Sequence, residues 1–411
     1  MNNTVDGKAG QLLWKKADKV LPGGSIYLSR SARFAGEGVL PGFVREAYGC
    51  RIKDVDGREY IDFLCANGPN ILGYRHPEVE AAAEKQAKLM DLASFYPEQM
   101  IQWSEKLLAW ARGFDWVVHT KNGSDATDLA VRIMRQATGR PLVILFERAY
   151  HGFESEFSLA FENVPVTKLD NIIRIPWNHK EALLDCVRKQ GKHIAGILMN
   201  PLDQSPATMT MEASADFIEA IRLAQKSEGI LVTLDDVRHG LRLHPLGSHQ
   251  ALGLEPDLLC LGKSLANGYA TAAVLGKEAE RDAASRIQFT STYIFSAVAF
   301  AAAAATLAVY ERDGVFASLV DRGRRLKEGL EVAARDTGHE LVVSGPVTMP
   351  TLLFKGERRG TRARTFCREA ALRGAVFHPS LNLFLSAAHS KEDIASALSI
   401  AREAFRLTPV T

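Results

Sequence analysis

Five short apolar runs mark the middle of the chain: Trp116–His119, Leu142–Phe146, Ile194–Met199, Ile230–Leu234 and Leu258–Leu261. They are too short for helices and show little polar alternation, which predicts strands covered on both faces. Helical text separates them, and strand–helix alternation over residues 76–325 predicts a large α/β domain, a mostly parallel sheet flanked by helices. Residues 1–75 mix a short helix (Gln11–Val20), a Gly/Pro-rich loop and a hairpin, Arg51–Asp62, turning at Asp56-Gly57. From 326 to 411 the pattern becomes helix, strands Glu340–Val343 and Thr351–Phe354, helix Thr361–Arg373, strand and final helix Lys391–Arg406. A smaller α+β domain built from both chain ends is expected, since 411 residues exceed one compact core.

Composition narrows the field. Hydrophobic residues make up 46% and charged residues 24%, ordinary values for a globular protein. Fifty basic against 48 acidic side chains give no reason to expect nucleic acid or an anionic membrane as partner. Five cysteines without a CxxC spacing predict reduced thiols and neither a disulfide framework nor a metal site. The N-terminus lacks the apolar core of a signal peptide, and the alanine-rich run Ala297–Tyr310 is shorter than a bilayer span. That run predicts a helix packed tightly in a core, and a cytoplasmic protein is expected.

Chemistry concentrates in Leu231–Gly268, where one strand ends in Asp235-Asp236 and the next in Gly262-Lys263-Ser264. Strand ends of a parallel sheet are where α/β proteins place their sites. A lysine can form an imine with an aldehyde, and a carboxylate can hold a protonated pyridine nitrogen, the pair that pyridoxal phosphate requires. Alone, such an Asp is as readily a helix cap and such a Lys a solvated side chain. Lys121–Thr127 opens a helix, and Asn122, Gly123 and Ser124 there suit a phosphate cup or simple N-capping. Tyr150-His151-Gly152 follows a strand; the aromatic ring could lie on a flat cofactor or be a buried turn residue. Thr292, in Thr290–Ser296, could add a phosphate contact or serve only as a turn residue.

The order of these pieces resembles the class III aminotransferases of the fold-type I pyridoxal-phosphate enzymes, in particular their glutamate-1-semialdehyde aminomutase-like branch. The resemblance runs from about Leu21 to the final helix. It is carried by Leu21–Gly24, Ile71–Gly73 with His76-Pro77, Gly123–Ala126, Thr138–Arg140, Tyr150–Gly152, Asp235–Val237 with Gly240–Arg242, Gly262-Lys263 with Asn267-Gly268, and Phe384–His389.

The resemblance implies that Lys263 carries the cofactor and shuttles the substrate proton, while Asp235 keeps the pyridine nitrogen protonated. It implies Val237 and Tyr150 on the two ring faces and Asn122, Gly123 and Ser124 on the phosphate; His151 is a cofactor-binding candidate or a turn residue whose ring bonds to the backbone. Thr292 would reach the phosphate of a neighbouring subunit, in a homodimer with the site at its interface. Arg30 matches the position that holds a substrate carboxylate in related enzymes, with Arg33 as the alternative if the loop is shifted, and Asn67 falls where the aminomutases line the pocket with an aromatic residue. Several positions depart from the pattern: Asn200-Pro201 replaces Glu-Pro, Asp236 replaces Glu, the text after Lys263 is less glycine-rich, and Pro379–Phe384 is shorter and lacks a glutamate. Transfer of an amino group between an amino acid, including a β-amino acid or other carboxylate-bearing amine, and a keto acid or aldehyde is expected. The alternative is intramolecular transfer of the aminomutase kind.

Overall fold

The computed structural model describes residues 4–25, 35–154, 157, 171–205, 208–357 and 360–410. The chain folds as two compact units, one of Pro77–Asp203 and Met211–Glu311, the other of Met1–His76, Gln204–Thr210 and Arg312–Thr411. The division expected near 325 falls inside the continuous helix Val315–Asp336.

The first unit is built on seven strands: β1 (Trp116–Thr120), β2 (Leu142–Phe146), β3 (Ile172–Ile175), β4 (Ile194–Met199), β5 (Leu231–Asp235), β6 (Leu258–Leu261) and β7 (Ala272–Gly276). Their order across the sheet is β1-β7-β6-β5-β4-β2-β3. Every residue of β4, β6 and β7 is buried, which is why their text is continuously apolar. Only β7 runs antiparallel, to both β6 and β1. The link from β6 to β7, Gly262–Thr271, holds no crossover helix, so the chain must reverse rather than return parallel. That reversal is sharp, with Lys263 and Asn267 at φ of +40° and +46°.

Helices cover the sheet. Gly123–Thr138 buries Leu129, Val131, Ile133 and Met134 against the sheet, about 1.5–3 kcal/mol for each side chain. The alanine-rich helix runs Ala297–Arg312 and buries Ala297, Ala299, Ala302 and Ala303 with Phe300 and Leu307. Among the described residues no helix is long and apolar enough to cross a membrane.

In the other unit, Ala375–Val376 pairs in parallel with Glu59–Asp62, completing a four-stranded sheet with Val44–Tyr48 and Arg51–Asp54. Strands from both chain ends therefore share one sheet. Helices Val315–Asp336, Thr361–Leu372 and Lys391–Arg406 belong to the same unit.

Candidate active site

The C-terminal edge of the parallel strands gathers the candidate residues. Strand β5 delivers Asp235, β6 leads into Lys263, β2 into Tyr150 and His151, β4 into Asn200, and β1 into Asn122–Ser124. Four adjacent strands, β6-β5-β4-β2, and β1 on the far side of β7 thus contribute to one edge, the arrangement that open α/β sheets use for ligands.

Asp235 is 4% exposed and densely bonded. Its Oδ2 accepts from His151 Nδ1 at 2.8 Å and Asn200 Nδ2 at 3.0 Å, and its Oδ1 from the Val237 amide at 3.2 Å. An ionised carboxylate only accepts, so the His151 tautomer with its proton on Nδ1 is required. His151 is itself fixed: its carbonyl accepts from Thr127 Oγ1 at 2.5 Å, tying it to the helix that follows β1. The neighbouring Asp236 serves a different purpose. Its side chain accepts from Ser248 N and Oγ at 2.8 and 2.5 Å, and burial pushes its carboxyl up to about 7.

Lys263 is half-buried at the start of the turn after β6. Burial first, then the Arg238 guanidinium, push its ammonium down to about 8, with Asp235 opposing. A positive φ at a lysine costs conformational energy, and such strain collects at functional sites. Arg238, also lowered by burial, shares this electrostatic neighbourhood with Asp235 and Tyr150. His239 is buried, and neither ring nitrogen has a partner among the described residues. Burial, then Arg238 and Lys263, hold it well below the ordinary histidine range.

Asn122 precedes the helix Gly123–Thr138, whose first backbone bond runs from Ala126 N to Asn122 O. The amides of Gly123 and Ser124 therefore precede the first intrahelical donor, at the positive end of the helix dipole, while the Asp125 amide bonds to the Asn122 side chain in a capping box. Asp125 accepts from the Asn122 amide at 3.0 Å, and Ser124 Oγ accepts from Phe153 N at 3.4 Å. Space is tight: a Cβ on Gly123 would lie 2.5 Å from Val237 Cγ1. Gly152, at φ +119°, would meet Ser124 Oγ at 2.6 Å with any side chain.

Val237 thus sits between Gly123 and Gly262. Tyr150 remains 46% exposed, and its hydroxyl is raised by burial. Thr292 is exposed in the turn before Ala297–Arg312. Asn67 belongs to the other unit, where a left-handed run Cys65–Asn67 places it on a cavity wall with Trp14, Leu40, Asp62 and Tyr74. Arg30 and Arg33 lie outside the described residues. Asn200, Arg238 and Thr127 were not among the candidates; Asn200 was signalled by its place at a strand end and by the departure from Glu-Pro.

A model of the family "Aminotransferase class-III" matches residues 34–404. The chain is a class III aminotransferase. It is 36% identical over 402 residues to the aminopentol aminotransferase of Sphingopyxis macrogoltabida, covering 98% of this chain and 94% of that protein. It is 30% identical over 417 residues to the glutamate-1-semialdehyde 2,1-aminomutase of Methanothermobacter thermautotrophicus, covering 95% and 97%. Among solved structures, the FumI protein of Sphingopyxis sp. MTA144 in its PLP internal aldimine form superposes with a TM-score of 0.93 at 34% identity, over 97% of this chain and 96% of that one.

Class III aminotransferases depend on pyridoxal phosphate, and the residues of this aminotransferase suit that group. The cup supplies amide donors at a helix N-terminus for an anion. The tight approach of Val237 and Gly152 to the cup leaves no room for larger residues at Gly123 or Gly152. Asp235 accepts three hydrogen bonds and has capacity for one more donor on Oδ1.

Proposed function

We propose that this aminotransferase moves an amino group between an amino acid or another carboxylate-bearing amine and a keto acid or aldehyde, with Lys263 as the catalytic amine. The observation that carries the reading is the placement of Lys263, Asp235 and the Asn122–Ser124 cup along one sheet edge. Pyridoxal phosphate supplies an aldehyde that a lysine can hold and a ring that draws electron density from the carbon under attack. Lys263 would hold the cofactor through Nζ and, as the free amine, take the proton from the substrate's Cα and return it. Its depressed pKa favours the neutral amine that both tasks need. Asp235 would hold the proton on the ring nitrogen; Asn122, Gly123 and Ser124 would bind the phosphate. Val237 and Tyr150 would flank the ring, with His151 fixing Asp235 from behind.

Arg30 would hold the substrate carboxylate and Asn67 would line its pocket. The aminotransferase relative acts on an aminopentol, so amines without a carboxylate belong in any substrate test. A homodimer, with Thr292 reaching the partner's cofactor phosphate, is supported by exposed apolar side chains at Leu89, Phe95, Tyr96 and Ile101. Tyr96 stands edge-on to Phe295 at 4.9 Å, and Asp91 accepts from Ser296 Oγ at 2.6 Å, so this surface adjoins the turn carrying Thr292. A cytoplasmic location is part of the same reading.

The test mixes the purified holoenzyme with α-, β- and ω-amino compounds, without acceptor, and follows its visible absorbance. Loss of the band with stoichiometric carbonyl product supports amino transfer, and Lys263→Ala should abolish both. If no donor acts while glutamate-1-semialdehyde is converted to 5-aminolevulinate, intramolecular transfer replaces it.

A further inference from the structure

We propose that Asn200 is a positioning residue for Asp235, an uncharged donor that, with His151, fills Oδ2 and leaves only Oδ1 to receive the cofactor's ring nitrogen. The inference rests on Asp235 holding that nitrogen, as proposed above.

The argument starts at the end of β4. Pro201 disfavours helical backbone at Asn200 and so holds it extended, in line with the strand. Strand β4 lies beside β5, with Met199 opposite Leu234, so the next residue on each strand comes side by side. There the Asn200 amide donates to Asp235 Oδ2 at 3.0 Å and reaches its carbonyl at 3.4 Å. A carboxylate has about four acceptor positions, two on each oxygen. His151 and Asn200 take both on Oδ2, and Val237 N takes one on Oδ1. One position remains.

The residue type matters as much as the place. A carboxylate at 200 could donate to Oδ2 only while protonated, and once ionised would set a second negative charge about 3 Å away, where two carboxylates cannot both ionise freely. An amide gives the donor without the charge. Around Asp235 stand His151, Asp236, Arg238, Lys263, Tyr150 and Cys260, so the local charge is already mixed. Asn200 leaves that mixture unchanged while restraining the carboxylate.

Two substitutions separate donor from charge. Asn200→Leu keeps the size and removes the donor; Asn200→Asp keeps the shape and adds an ionisable acceptor. Pyridoxal-phosphate affinity is measured by fluorescence quenching in a Lys263→Ala background, so that no covalent chemistry contributes, and melting of the apoprotein is followed from pH 6 to 9. For Asn200→Leu a Kd at least about tenfold higher is expected, the scale of a lost hydrogen bond to a charged group. For Asn200→Asp, melting should fall as pH rises, relative to the unsubstituted protein, because the shared proton is lost. Affinity within twofold for Asn200→Leu, or a melting curve for Asn200→Asp parallel to the unsubstituted one, would overturn the proposal. Should Asn200→Leu not fold, the Asn200→Asp profile decides. None of these readouts involves amino transfer, so a failed donor panel leaves this result standing, and the reverse also holds.

Discussion

Lys263 offers a direct measure of the electrostatics of the site. Burial and Arg238 take its ammonium from 10.5 to about 8. The difference is a factor of about 300 in the deprotonation equilibrium, or about 3.4 kcal/mol. At pH 7.5 about a quarter of the side chain would be the neutral amine, against about one part in a thousand for an ordinary lysine. The apoprotein should be exposed briefly to an amine-reactive acylating reagent between pH 6.5 and 10.5, and modification of Lys263 quantified by mass spectrometry. The same residue in denaturant is the reference. Its native rate should reach half its maximum near pH 8, and Arg238→Met should move that midpoint upward by removing a neighbouring cation. The same shift carries a stability consequence with a definite sign. The unfolded chain binds more protons than the folded one between about pH 8 and 10.5, so Lys263 makes the apoprotein more stable as pH rises through that window. A native midpoint coinciding with that in denaturant, or a fall in the midpoint for Arg238→Met, would refute the reasoning.

Asp235→Asn should retain cofactor yet lower turnover about 100- to 1000-fold, the scale of one lost preorganised electrostatic contact; steady-state kinetics near the unsubstituted rate would remove Asp235 from the role. Gly123→Ala puts a Cβ 2.5 Å from Val237 Cγ1, an overpacking cost of about 1–3 kcal/mol, so cofactor affinity should weaken about 5- to 150-fold in equilibrium dialysis. Asp236, raised from 3.8 to about 7, makes the fold less stable as pH climbs through that interval, because the folded state binds the extra proton. Asp236→Asn should therefore be more stable than the unsubstituted protein at pH 8, by an amount on the order of 4 kcal/mol at most, with the gap closing toward pH 4 in denaturant titrations. Phe95, 85% exposed, should be covered in a homodimer; Phe95→Asp should shift the sedimentation of the protein toward a monomer, and an unchanged dimer would place the interface elsewhere.

Much of the sheet was legible because burial on both faces writes itself as uninterrupted apolar text. Leu142–Phe146, Ile194–Met199 and Leu258–Leu261 have the limits that the sequence predicts. Strand β7 left no comparable mark: Ala272–Gly276 is small-residue text that suits helix or strand, and its direction follows from the short link Gly262–Thr271. Strand β3 begins beside residues outside the described set, and its Arg174 breaks the apolar run. The cup was legible as a helix start. Its fit against Val237 and Gly152 was not, because contacts between segments separated along the chain have no local signature.

Asp235 and Asp236 show where sequence reading ends. They are chemically identical and adjacent, and a strand turns successive side chains to opposite faces. One therefore meets His151 and Asn200, two donors on neighbouring strand ends; the other meets Ser248 and only anchors the short helix Ser248–Leu252. Which of the two is functional depends on what stands on each face, and that is set by strand order, not by the dipeptide. The replacement of Glu-Pro by Asn200-Pro201 reads in the sequence as an isolated departure from the family. In the sheet it acquires a partner, because β4 lies against β5 and Asn200 comes level with Asp235. A substitution at one strand end thus alters the charge beside the residue on the next, so these two positions have to be read as a pair.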